Sequence, residues 1–96
     1  MFIVLLNYIK PMSQVDRFIE EHRDFLNQYY TSGNFLLSGR KEPRTGGVIL
    51  AIAETRNEIE SIVEKDPFHR EKIASYEIIE FLPSMSSEYL TRLIST

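Results

Sequence analysis

Four apolar strand patterns and two amphipathic helical patterns follow one another in the order β-α-β-β-α-β. That order predicts an α+β domain of ferredoxin-like plan, a four-stranded antiparallel sheet with both helices on one face. Two further observations agree with it. The long segment of residues 13–30 carries apolar residues at helical spacing, and Pro, Gly and Asn punctuate the chain where the elements change.

The first strand is Phe2–Tyr8, an apolar run that stops near Pro11. Ser13-Gln14-Val15-Asp16 reads as a capping box with Asp in place of Glu or Gln, and it is expected to start the first helix. Val15, Phe18, Ile19, His22, Phe25, Leu26 and Tyr29 form the buried stripe of that helix. Thr31-Ser32-Gly33-Asn34 ends it, because Gly and Asn tolerate the left-handed conformation. The second strand is Phe35–Arg40, a turn follows through Pro43, and the third strand covers residues 46–53. Thr55-Arg56-Asn57-Glu58 is a capping box for a helix that buries Ile59, Ile62 and Val63. Asp66-Pro67 breaks that helix and begins a short turn, residues 68–72. The last strand covers residues 74–82 and closes at Pro83. Residues 84–96 form a tail with Tyr89, Leu90, Leu93 and Ile94 at helical spacing, and a short terminal helix is expected there.

Composition narrows the function. With 96 residues, a single domain spanning 1–83 and the tail account for the chain. Hydrophobic residues at 43% and charged residues at 26% describe a globular protein. The net charge of −3 argues against nucleic acid and anionic membranes as partners. The absence of cysteine removes disulfides and thiolate metal sites. The apolar N-terminus has no basic leader and no small-residue cleavage site, and it is far shorter than the roughly 20 residues of a membrane span, so a cytoplasmic location is expected.

One polar residue stands in the apolar stripe. His22 holds a core-facing slot, where one ring nitrogen needs a partner and the other is free to work. A core histidine tied to a backbone carbonyl explains the same position, and the stripe alone does not separate the two. Asp66 before Pro67 is an N-cap pattern, and a capping carboxylate keeps one oxygen for an imidazole. Ser38-Gly39 interrupts an apolar strand, where glycine signals a bulge or a close approach. Pro43-Arg44-Thr45-Gly46-Gly47 could cradle an anion or serve as a plain turn. His22, Asp66 and His69 are metal-ligand types without metal-ligand spacing, so no metal and no cofactor are expected. The strands are apolar on both faces: Phe2, Val4 and Leu6 point one way, Ile3 and Leu5 the other. The face without helices needs a cover, and a second copy packed sheet on sheet supplies one.

Several short motifs together resemble the YciI-like family. They are Tyr8-x-Lys10-Pro11, Glu21-His22-Arg23-x-Phe25-Leu26, Leu37-Ser38-Gly39, Pro43-Arg44-Thr45-Gly46-Gly47-Val48-Ile49-Leu50, Asp66-Pro67-Phe68 and Tyr76-x-Ile78-x-Glu80-Phe81. The resemblance spans residues 2–83 and implies a dimeric α+β barrel of ferredoxin-like protomers. It also implies a pocket with a His–Asp pair, falling here on His22 and Asp66, and a Ser-Gly step on Ser38 and Gly39. One relative acts as a dehydrochlorinase on a chlorinated hydroxyaromatic, and the fold neighbours muconolactone isomerases.

The expected function is cofactor-independent proton transfer on a small cyclic or aromatic organic compound, by a lyase or isomerase. His22 is the expected general base, Asp66 its orienting partner, and Ser38, Gly39 and Arg44 the substrate-binding residues. A non-catalytic small-molecule-binding module on the same dimeric fold is the alternative. An RNA-recognition module shares the element order, but the third strand, Gly46 to Ala53, has none of the aromatics that stack on bases.

Overall fold

Phe2, Val4 and Leu6 alternate with half-buried Ile3 and Leu5, and this alternation organises the molecule. The computed structural model describes residues 1–94. The elements are β1 (Phe2–Tyr8), α1 (Met12–Ser32), β2 (Phe35–Arg40), β3 (Gly46–Ala51), α2 (Arg56–Val63), α3 (Pro67–Arg70), β4 (Ala74–Glu80) and a 3-10 segment (Glu88–Leu93). The four strands form one antiparallel sheet in the order β2-β3-β1-β4, the ferredoxin-like plan. Register sets Val4 between Ile49 and Ile78, and Phe2 beside Ala51, on the helix-covered face. These residues join Val15, Phe25, Tyr29, Ile59, Ile62 and Phe68 in one core. On the other face Ile3 lies between Leu50 and Ile79, and Leu5 beside Val48.

Local signals account for most element ends. Gly33 adopts φ 88°, the left-handed C-cap of α1, and its N–H donates to the Tyr30 carbonyl. Thr55 caps α2, with its hydroxyl oxygen accepting from the Glu58 N–H at 3.1 Å. The Glu58 carboxylate reaches back to the Glu54 N–H at 3.0 Å. Gly46 packs directly on β1, where an added Cβ would lie 1.8 Å from the Leu6 carbonyl oxygen.

Some expectations are corrected. The Ser13–Asp16 capping box does not form. The Pro11 carbonyl accepts from Gln14 and Val15, so α1 starts at Met12 and Ser13 falls inside the first turn, where its hydroxyl cannot cap. The short turn read over residues 68–72 is one helical turn, α3, over Pro67–Arg70, with Asp66 as the N-cap its pattern announced. β3 stops at Ala51, because the Ile52 N–H leaves the ladder for the Asn34 carbonyl. β4 ends at Glu80, although the Phe81 N–H still reaches the Met1 carbonyl. The bulge in β2 falls between Phe35 and Leu37, before the Ser38-Gly39 step. The tail carries a 3-10 segment in place of an α-helix, and Tyr89 there is 95% exposed. The last two residues of the expected terminal helix lie outside the described residues.

Candidate active site

The site is built where α1 crosses α3. The buried stripe of α1 carries Val15, His22, Phe25 and Tyr29, while Phe18, Ile19 and Leu26 are only half-buried. For Ile19 and Leu26 the reason is a cleft between α1 and the sheet, which they line together with His22. Its volume is about 520 Å³, within the range of small-molecule sites. Ser38 and Gly39 of β2 and Arg44 of the β2–β3 loop line the same cleft. Four of the five predicted site residues therefore share it. The fifth, Asp66, stands behind His22.

Asp66 is fully buried and has three donors. As the N-cap of α3, its Oδ1 accepts the Phe68 N–H at 3.0 Å. The same oxygen takes His22 Nδ1 at 2.8 Å, and Oδ2 accepts the Tyr76 hydroxyl at 2.5 Å. Removing a carboxylate from water is costly, and three hydrogen bonds offset that cost. A carboxylate only accepts, so the proton of a neutral His22 sits on Nδ1 and the lone pair on Nε2. The imidazole lies face to face on Phe68, 4.1 Å between centroids and 5° between planes, with Phe25 stacked beside it at 6.3 Å. Stacking and hydrogen bond together allow the ring one orientation. Among the described residues Nε2 has no protein partner, and no buried side-chain nitrogen or oxygen is left unpartnered. Nε2 therefore opens to the cleft that His22 lines.

The other residues are held as follows. Ser38 shares a short hydrogen bond with the Tyr30 hydroxyl. The Arg44 guanidinium pairs with Asp16 at 3.0 Å across the cleft, and this bond raises its pKa above the ordinary arginine value. His69 packs against Tyr76 at 5.4 Å and takes no part in the His22–Asp66 pair. No group of three or more His, Asp or Glu among the described residues is arranged to hold a metal ion. Sequence reasoning missed Tyr76 as the third member of the polar set. Its place on the helix-covered face of β4 was readable from the alternation, but nothing local links it to Asp66. It also passed over Arg23 and Arg40, which line the cleft.

A ferredoxin-like α+β domain with an aspartate-oriented histidine at the wall of a ligand-sized cleft is thus defined. The chain belongs to the YCII-related domain family, which it matches over residues 1–82. Among solved structures it is similar to the 5-chloro-2-hydroxyhydroquinone dehydrochlorinase of Burkholderia phenoliruptrix in complex with 2,5-dihydroxybenzoquinone. The identity is 18%, the TM-score 0.67, and the match covers 84% of this chain and 93% of that one. At that identity the likeness carries the fold. No similar sequence was found among curated proteins. Among the described residues no helix is long and apolar enough to cross a membrane.

Proposed function

We propose that this domain is a cofactor-independent lyase or isomerase acting on a small cyclic or aromatic compound. The observation that carries the reading is the His22–Asp66 bond of 2.8 Å with Nε2 left open to the cleft. Nε2 takes a proton from an acidic C–H or O–H of the substrate, and the bonding pair stays on the substrate. In a lyase that pair forms a double bond and expels a leaving group as an anion, as chloride would leave in a dehydrochlorination. In an isomerase the same proton returns from Nε2 to another carbon. Asp66 holds the tautomer and stabilises the imidazolium by its adjacent negative charge. Ser38, Gly39 and Arg44 bind the substrate. The named activity of the Burkholderia structure supports a lyase as the first assay.

The working unit in this proposal is a homodimer joined through the sheet face without helices. That face carries half-buried Ile3, Leu5, Val48 and Leu50, with Leu37 57% and Ile79 40% exposed. A contiguous apolar surface of this kind favours a partner over water.

The test is turnover by wild type and His22→Gln across a panel of halogenated hydroquinones and unsaturated lactones. Gln keeps a polar side chain of similar reach, so folding and dimerisation persist while turnover falls by about 10²–10⁴-fold. Equal turnover by a folded His22→Gln protein removes His22 as the base. Ligand binding without turnover by wild type favours a binding module on the same fold.

A further inference from the structure

The charges around the cleft do not follow those of the chain. Acidic residues outnumber basic ones overall and the net charge is −3, yet three arginines, Arg23, Arg40 and Arg44, line the cleft against one acid, Asp16. Asp16 is taken by Arg44. The side chains of Arg23 and Arg40 have no ion pair or hydrogen bond among the described residues, on a surface rich enough in glutamate to pair Arg56 with Glu60 and Arg70 with both Glu21 and Glu71. The two come from opposite walls. Arg23 follows His22 on α1. Arg40 lies on β2 opposite Gly47, which in turn faces Leu6 of β1. Gly47 lines the cleft without a side chain, so nothing from β3 stands between Arg40 and the open space at this register position.

Resting on the reading of this cleft as the active site, we infer that its ligand is a small planar carboxylate, and that Arg23 and Arg40 are the groups that recognise its charge. A guanidinium offers paired donors in the plane that a carboxylate accepts. Two unpaired cations over a partly enclosed cleft concentrate anions there, despite the acidic remainder of the surface. The pair also sets specificity. A neutral analogue leaves both guanidiniums to water and gains only the apolar contacts of Ile19, Leu26 and Ile49.

The probes are benzoate and its neutral isostere benzamide, titrated into the ¹⁵N-labelled protein and followed at the Gly39 and Gly47 amides, both cleft residues. Benzoate is expected to bind at least about tenfold tighter than benzamide at low ionic strength, with the preference shrinking as salt is raised. Arg23→Gln and Arg40→Gln each weaken benzoate severalfold and leave benzamide unchanged, and the double variant binds the two probes alike. Equal binding by wild type, no binding of either probe, or a preference surviving in the double variant overturns the inference. All of this is read without turnover. A preference for benzoate combined with normal turnover by His22→Gln would leave the inference standing and remove the proposed chemistry.

Discussion

Replacing Tyr76 with Phe tests the polar set at its least expected member. The change deletes one oxygen and leaves the ring, so packing in β4 is preserved. It removes the donor to Asp66 Oδ2 at 2.5 Å and leaves that oxygen unpartnered on a fully buried carboxylate. A hydrogen bond to a charged group contributes about 1.5–3 kcal/mol, and its loss is felt in full when the acceptor stays buried. Each kcal/mol moves the Tm of a domain this size by roughly 4–8 °C, so Tm at neutral pH should fall by about 6–24 °C. The same hydroxyl gives a second readout. Burial, and next the Asp66 charge, push the Tyr76 phenol far above its ordinary pKa of 10.0. The folded protein keeps this proton where the unfolded chain releases it. Below pH 10 both states hold the proton and the contribution is fully present. Above pH 10 the unfolded state binds fewer protons, so stability falls as pH rises, by about 1.4 kcal/mol per pH unit from this group. Urea melts of both proteins at pH 7, 10 and 11 measure the two effects. The Phe variant should be less stable at pH 7 and shallower in its decline above pH 10. A loss below about 0.5 kcal/mol at pH 7, or identical slopes above pH 10, would refute the role assigned to the Tyr76–Asp66 bond.

Other predictions follow from single contacts. Gly46→Ala sets a Cβ against the Leu6 carbonyl of the neighbouring strand, and backbone has nowhere to retreat, so the variant should lose at least about 1–3 kcal/mol in a denaturant melt. A wild-type melt for that variant would contradict the observed β1–β3 spacing. Thr55→Ala removes the cap on Glu58 N–H and should cost about 1 kcal/mol, while Thr55→Ser retains most of it. Equal losses for both substitutions would argue that the hydroxyl is not the stabilising group. Leu50→Glu, on the helix-free face, should give a folded monomer in light scattering, where the proposed wild-type assembly is a dimer. A wild-type monomer at micromolar concentration would remove the sheet-face dimer.

Whatever acts over a few neighbouring residues was determined by the sequence itself. The apolar run from Phe2 to Leu6 implied a strand apolar on both faces, with Phe2, Val4 and Leu6 on one and Ile3 and Leu5 on the other. Thr55 with Glu58, Gly33, and Asp66 before Pro67 marked helix ends that the structure contains. The failure at Ser13 is instructive because it is also local. A capping pattern and a proline carbonyl competed for the same first turn, and Pro11 won because it stands ahead of the first helical residue. His22 was visible as a polar break in an apolar stripe, but its partner was not, since 44 residues separate it from Asp66 and only the motif resemblance linked the two. Only the tertiary structure decided the rest. The sheet register sets Arg40 opposite Gly47 and makes an open cleft wall. The crossing of α1 on α3 stacks His22 on Phe68 and turns Nδ1 to Asp66. The β1–β4 pairing carries Tyr76 to the other carboxylate oxygen. Each of these is a meeting of side chains distant in the chain. Periodicity tells which face a residue occupies, but the partner it meets there depends on how the elements pack.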